Sequence, residues 1–226
     1  MTERFVAIDF AGTLVTPEFI NKANAFRAKI LNTALPSHED HNNPEELYKN
    51  NRKLVEALTG LLAEHTVLRT ELTGEVLEVP GEAFQNIIAT NLFMIGCFQA
   101  AKELGLKAFP EGLDKELLRL QEDGFTLAIV SGVRSDIISG VLEITGFPVV
   151  FGDILGQPAT LGVSGVEQLQ ELQERGEVAW MVGDKESDVK DAKTVGAKSV
   201  FVTWGFGEDV QADIVVRSPA DLRSIQ

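Results

Sequence analysis

The chain has 226 residues, 44% of them hydrophobic and 24% charged, which suffices for a buried core and argues against disorder. A formal net charge of −14 argues against nucleic-acid binding, which needs a basic surface, and no apolar run is long enough to cross a membrane. A single cysteine, Cys97, excludes an internal disulfide; it lies in the apolar stretch from Asn91 to Ala101 and reads as a core residue. The segment from Met1 to Leu14 lacks a signal-peptide layout, so the expectation is a cytoplasmic protein, monomeric or a homodimer.

The first apolar run, Phe5 to Phe10, reads as a strand. After it the pattern is helical for about ninety residues. Asn43-Pro44-Glu45-Glu46 reads as a helix start, and Leu47, Leu54, Val55, Leu58, Leu61 and Leu62 then share one face. Glu82 to Leu104 is a longer helix, apolar nearly all round. The histidines His38, His41 and His65, and the lysines Lys49 and Lys53, read as charged or polar surface. From Pro110 helices and apolar runs alternate: helix at Leu113 to Gln121, strand at Phe125 to Val130, helix at Arg134 to Ile144, and a short strand at Val149 to Phe151. Then follow a helix at Ser164 to Glu174 with a capping box, a strand at Val178 to Val182 and a helix to Val195. Strands at Ser199 to Val202 and Ile214 to Val216 precede a short last helix begun by Ser218-Pro219-Ala220-Asp221. This alternation predicts an α/β fold, a Rossmann-like parallel sheet covered by helices, with residues 1–14 and 109–226 as the core and 15–108 as an inserted helical cap.

Ligands of parallel α/β sheets sit beyond the carboxyl ends of the strands. The first strand ends in Asp9-Phe10-Ala11-Gly12-Thr13-Leu14, a later one in Ser131-Gly132, and another in Gly183-Asp184-Lys185-Glu186-Ser187-Asp188. Converging there, Asp9, Asp184 and Asp188 form an all-oxygen set suited to Mg²⁺. Such carboxylates repel one another unless a cation stands between them. An acidic protein acting on an anion also needs a local positive charge, which a metal ion supplies.

These three motifs, D-x-x-G-T-L, Ser-Gly and G-D-x-x-x-D, in this order, resemble the haloacid-dehalogenase-like hydrolase superfamily. The segment Val202 to Gly207, with Ala212-Asp213 and Ser218 to Leu222, is similar to the phosphoglycolate-phosphatase-like branch. The resemblance covers residues 1–14 and about 109–226 and does not extend to any motif in the helical insertion. It implies that Asp9 attacks a small phosphorylated substrate to form an aspartyl-phosphate, that Ser131, Gly132 and Lys185 hold the phosphoryl group, and that Asp9, the Ala11 carbonyl, Asp184 and Asp188 bind Mg²⁺.

Two positions depart from the family pattern. Its phosphatases carry a general acid and base two residues after the nucleophile, where this chain has Ala11, a change expected to cost roughly 10²–10⁴-fold for leaving groups that need a proton. They also carry a lysine before the last acidic motif, where this chain has Gly156-Gln157-Pro158-Ala159; Lys185 and Arg134 are the candidate substitutes. A similar D-x-A-G-T occurs in phosphonoacetaldehyde hydrolases, which use a cap lysine as a Schiff base, and Lys49 and Lys53 are the cap lysines here. Dehalogenases also lack the second aspartate and do not use Mg²⁺, but Gly183-Asp184 argues against that branch. Three readings therefore stand: a slow Mg²⁺-dependent phosphohydrolase, a non-catalytic binder of phosphate or metabolite, and a carbon–phosphorus hydrolase.

Overall fold

The structure, a computed structural model, describes residues 2–34, 81–157, 163–208 and 210–226. Its first strand, β1 (Glu3–Ile8), buries Phe5, Val6, Ala7 and Ile8 in succession. A strand apolar on both faces needs a layer of cover on each. Five further strands join it: β2 (Thr126–Arg134), β3 (Asp153–Gln157), β4 (Gly176–Gly183), β5 (Lys198–Val202) and β6 (Ile214–Val216). All pairs are parallel, in the order β3-β2-β1-β4-β5-β6. The chain winds outward from β1 through β2 and β3, then returns to lay β4 on the other side of β1. The crevice beyond the ends of β1 and β4 is therefore the switch point, where α/β sheets bind ligands.

The connecting helices are α1 (Pro17–Ala34), α2 (Gly81–Leu104), α3 (Leu113–Glu122), α4 (Ser135–Thr145), α5 (Gly165–Gln173) and α6 (Glu186–Val195). Short 3₁₀ turns occupy Gly105–Ala108 and Pro219–Ser224. Leu169 and Leu172 of α5 and Ala192 of α6 pack with Phe5, Ala7, Ala128, Val130, Val178 and Met181 from the sheet. The α5 capping box is formed: Glu167 N–H donates to Ser164 Oγ at 3.2 Å and Ser164 N–H to Glu167 Oε2 at 2.7 Å. None of the described helices is long and apolar enough to cross a membrane.

One strand differs from its expected place. Val149 to Phe151 is not a strand; the third strand is Asp153–Gln157. Phe147 and Phe151 stack instead, at 6.4 Å, with Phe147 on Phe109 at 4.0 Å, while Val150 is 74% exposed. The aromatic contacts explain the apolar run, and β3 is an edge strand whose polar composition hides it. Cys97 is buried as expected, and burial pushes its thiol up to about 12.

After β1 the chain turns on itself. Leu14 N–H donates to the Asp9 carbonyl at 3.1 Å and Val15 N–H to the Phe10 carbonyl at 2.9 Å. Gly12 makes the turn at φ 92°, a left-handed conformation open to glycine. Thr16 N–H then donates to the Ala108 carbonyl at 2.8 Å. The chain divides into two compact units, Met1–Asn21 with Cys97–Gln226, and Lys22–Gly96. In the second, α2 comes close to α1: a Cβ on Gly96 would stand 2.4 Å from the Ala23 carbonyl oxygen. The helix expected from Asn43, with His38, His41, Lys49, Lys53 and His65, lies outside the described residues.

Candidate active site

Asp9 follows β1 directly, and its N–H is held by the Val182 carbonyl of β4 at 2.9 Å. That bond fixes the backbone, and the side chain is buried. Oδ1 accepts a hydrogen bond from Ser131 Oγ at 3.2 Å, and Oδ2 one from Lys185 Nζ at 3.2 Å. Burial pushes the Asp9 carboxyl up to about 7; the Lys185 ammonium pulls the other way, and the charges of Asp188 and Asp184 add to the rise. A carboxylate this unfavourably placed in the fold is a functional candidate.

Ser131 lies within β2, which runs past the expected strand end to Arg134. Its Oγ also accepts from Val133 N–H at 3.2 Å, and Gly132 lies next to it in the cavity wall. A residue absent from the sequence reading fixes this strand end. Gln168 of α5 is buried, and its Nε2 donates to the Ser131 carbonyl at 3.1 Å and to the Leu155 carbonyl at 2.8 Å, tying β2 to β3. Gln168→Leu leaves both carbonyls without this donor, and the expected cost is about 1–3 kcal/mol. Chemical denaturation of the two proteins checks it; equal midpoints and slopes would mean the carbonyls find other donors.

Asp184 follows β4 directly and is fully buried. Its Oδ2 accepts from Phe206 N–H at 2.6 Å and its Oδ1 from Thr13 Oγ1 at 3.4 Å. The loop after β5 can close over it because Gly205 has no side chain: a Cβ there would stand 2.2 Å from Asp184 Cβ. Trp204 anchors the same loop, its indole N–H donating to the Thr13 carbonyl at 3.0 Å. Asp188 caps the start of α6, its Oδ2 accepting from Lys185 N–H at 2.9 Å. Burial raises its carboxyl above the ordinary range, against that N–H bond and the Lys185 charge.

One carboxylate oxygen from each of Asp9, Asp184 and Asp188 lies within 4.8 Å of the others. The Ala11 carbonyl faces the same point, 3.5 Å from Lys185 Nζ. This all-oxygen, partly desolvated set fits a hard divalent cation, for which carboxylates and a carbonyl are the usual ligands. For Lys185, burial alone would lower the ammonium, but Asp9, Asp184 and Asp188 outweigh it and hold the group above its ordinary value.

Asp9, Ser131, Gly132, Gln168, Lys185 and Asp188 line a cavity of about 240 Å³. Of the two candidate substitutes for the family lysine, Lys185 is in this wall. Arg134 is turned away, its guanidinium on Asp136 at 3.0 and 2.6 Å. Gln157, in the segment where the resemblance leads one to expect a lysine, lines the cavity but is engaged as a clasp: Val163 N–H donates to its Oε1 at 2.7 Å, and its Nε2 donates to the Val163 carbonyl.

A family model described as haloacid dehalogenase-like hydrolase matches residues 4–196. The phosphoglycolate phosphatase of Aquifex aeolicus (strain VF5) is 28% identical over 123 residues, covering 51% of this chain and 57% of the relative. That of Vibrio vulnificus (strain YJ016) is 32% identical over 124 residues, covering 49% of this chain and 54% of the relative. The chain thus spans a little over half the length of the curated relatives it matches. Among solved structures, a HAD-superfamily hydrolase of subfamily IA from Geobacter sulfurreducens PCA shares the fold, with TM-score 0.60 at 15% identity over 99% of this chain and all of the other.

Proposed function

Because the chain belongs to the haloacid dehalogenase-like hydrolase family, we propose that it hydrolyses a small phosphorylated molecule through attack by Asp9. The observation that carries this reading is the Asp9 carboxylate itself, buried at a strand end, held by Ser131 on one oxygen and Lys185 on the other, and opening on the cavity. In the first step an Asp9 oxygen bonds to phosphorus, the bond from phosphorus to the leaving oxygen breaks, and that oxygen departs with the electron pair. In the second, water bonds to phosphorus, the bond to Asp9 breaks, and inorganic phosphate leaves. In this reading Ser131 Oγ and Lys185 Nζ, both in contact with Asp9, hold phosphoryl oxygens, and the open space beside Gly132 admits them. Ala11 contributes a carbonyl and no proton donor, so the leaving oxygen draws its proton from solvent and the attacking water loses one to it. Mg²⁺, held by Asp9, Asp184, Asp188 and the Ala11 carbonyl, would neutralise charge gathering on the phosphoryl oxygens. In the same reading residues 15–108 are a helical cap that selects the substrate, and the organic part of that substrate is set there.

An aryl phosphate assay with Mg²⁺, paired with calorimetry on Asp184→Asn, tests the reading. Expected are measurable hydrolysis and a Mg²⁺ affinity weakened at least about tenfold by the substitution. Equal affinities would remove Asp184 from the metal set, and absence of hydrolysis would favour a second reading, a phosphate binder. That second reading draws on Gln157, whose amide is spent on Val163 in the segment where the resemblance leads one to expect a lysine.

The raised Asp9 carboxyl fixes a pH dependence. Its value of about 7 in the fold lies above the unfolded one of roughly 4, so the folded state holds its proton longer. Its contribution to stability is full below about pH 4 and is lost as pH rises through about 7. A divalent ion must displace that proton. Mg²⁺ affinity is therefore expected to fall between about pH 8 and pH 6, with proton release on binding visible as a buffer-dependent heat in calorimetry. An affinity flat across this window would remove Asp9 from the ligand set.

A further inference from the structure

Lys185 sits at the N-cap of α6 in an extended backbone conformation, φ −122° and ψ 156°. Its side chain returns over the strand ends, with Nζ 3.2 Å from Asp9 Oδ2, 3.5 Å from the Ala11 carbonyl oxygen and 3.6 Å from Asp184 Oδ1. These are three of the four residues assigned above to the divalent ion, the fourth being Asp188. A point in contact with all three oxygens does not accommodate an ammonium and a second cation together, because both need the same lone pairs and repel each other at contact distance. We propose that Lys185 is an internal counter-ion that occupies the metal position in the metal-free protein and must be displaced for the ion to bind. The proposal rests on the metal reading of the preceding subsection.

Three acidic side chains gathered at a sheet end, two of them at least nine-tenths buried, repel one another when nothing stands between them. The ammonium offsets part of that repulsion without a metal, so the site can fold before it is loaded. The cost is affinity: binding becomes an exchange of one cation for another, and the free energy of the lysine contacts is subtracted from that of the ion. The exchange also frees a positive charge that remains on a cavity-lining residue beside Asp9, in a chain whose position 157 supplies none. Metal binding and provision of a cation to an anionic substrate are thereby coupled through one side chain.

Mn²⁺ binding, read from the free-ion signal in electron paramagnetic resonance, tests this without reference to activity. Wild type is compared with Lys185→Met, Asp184→Asn and Lys190→Met. Lys190 serves as a charge control, since it lies on α6 and pairs with Glu186 at 3.0 Å on an exposed surface. Lys185→Met is expected to bind Mn²⁺ at least about tenfold more tightly than wild type, and Lys190→Met to change it less than about twofold. Without metal, Lys185→Met is expected to melt below wild type and to recover the difference at saturating Mn²⁺. If Lys185→Met binds Mn²⁺ as wild type does or more weakly, while Asp184→Asn is weakened, the exchange is overturned and the metal reading stands. If neither wild type nor Lys185→Met binds Mn²⁺, both fall. If Lys185→Met is unfolded without metal, recovery on adding Mn²⁺ supports the exchange and failure to recover overturns it.

Discussion

Asp9→Asn is expected to abolish turnover, by on the order of 10⁴-fold or more, while raising the melting temperature of the metal-free protein above neutral pH. The two effects have one cause. An amide cannot attack phosphorus, so the covalent route closes. The same amide carries no charge, and the fold disfavours charge at this position: burial and the neighbouring carboxylates hold the carboxyl at about 7 in spite of Lys185. Above that pH the wild-type protein carries an ionised group in a site that resists it, and asparagine removes the penalty at nearly constant volume. The gain should vanish below about pH 4, where the aspartate is protonated in both states. Thermal melts across the pH range, beside an aryl phosphate assay, read both outcomes. An Asp9→Asn protein as active as its parent would put the nucleophile elsewhere; one less stable at every pH would mean that the Ser131 and Lys185 contacts outweigh burial.

The second large effect concerns Ala11. A carboxyl at this position would protonate the leaving oxygen and later activate the water that opens the aspartyl-phosphate. Without it, an aryl or acyl leaving group that departs readily as an anion loses little in the first step, whereas an alkyl or sugar phosphate loses roughly 10²–10⁴-fold. The second step loses its base whatever the substrate, so the phospho-enzyme should accumulate and product should appear in a burst before a slow steady state. Ala11→Asp is expected to raise alkyl phosphate turnover toward the upper part of that range and to shorten the life of the intermediate. The side chain at position 11 is partly exposed, so a carboxylate there meets solvent instead of a packed wall. Brisk wild-type hydrolysis of an alkyl phosphate, unimproved by the substitution, would show that another residue delivers the proton.

The parallel sheet and the cluster of Asp9, Ser131, Asp184 and Asp188 were legible in the sequence for one physical reason. Buried strands are written as unbroken apolar runs, and the first polar residues after such a run stand at the ligand-binding end. The third strand escaped because it runs along the sheet edge and is written Asp153-Ile154-Leu155-Gly156-Gln157, while the apolar pull came from Val149 to Phe151, which serves a stack of rings. Gln168 escaped because it stands among polar neighbours on a helix, and only the packing of α5 against β2 and β3 distinguishes it from Glu167 and Gln170. Lys185 read as a phosphoryl contact and a substitute for the family lysine; the extended N-cap backbone that folds it onto Asp9 is a matter of geometry. Gly205 entered only as part of the segment from Val202 to Gly207, since the need for its missing Cβ arises only when the loop after β5 covers Asp184.

The hydrogen bond from Thr16 to the Ala108 carbonyl bears on how such a chain is assembled and altered. Both residues belong to the sheet unit, so the bond joins two distant points of the sequence inside that unit and closes the loop between them there. Closure of such a loop depends only weakly on its length, so a change of length between Lys22 and Gly96, outside the sheet unit, is expected to leave the strand register undisturbed. Melting of a variant shortened between Lys22 and Gly96 reads this: the sheet unit is expected to keep its cooperative transition.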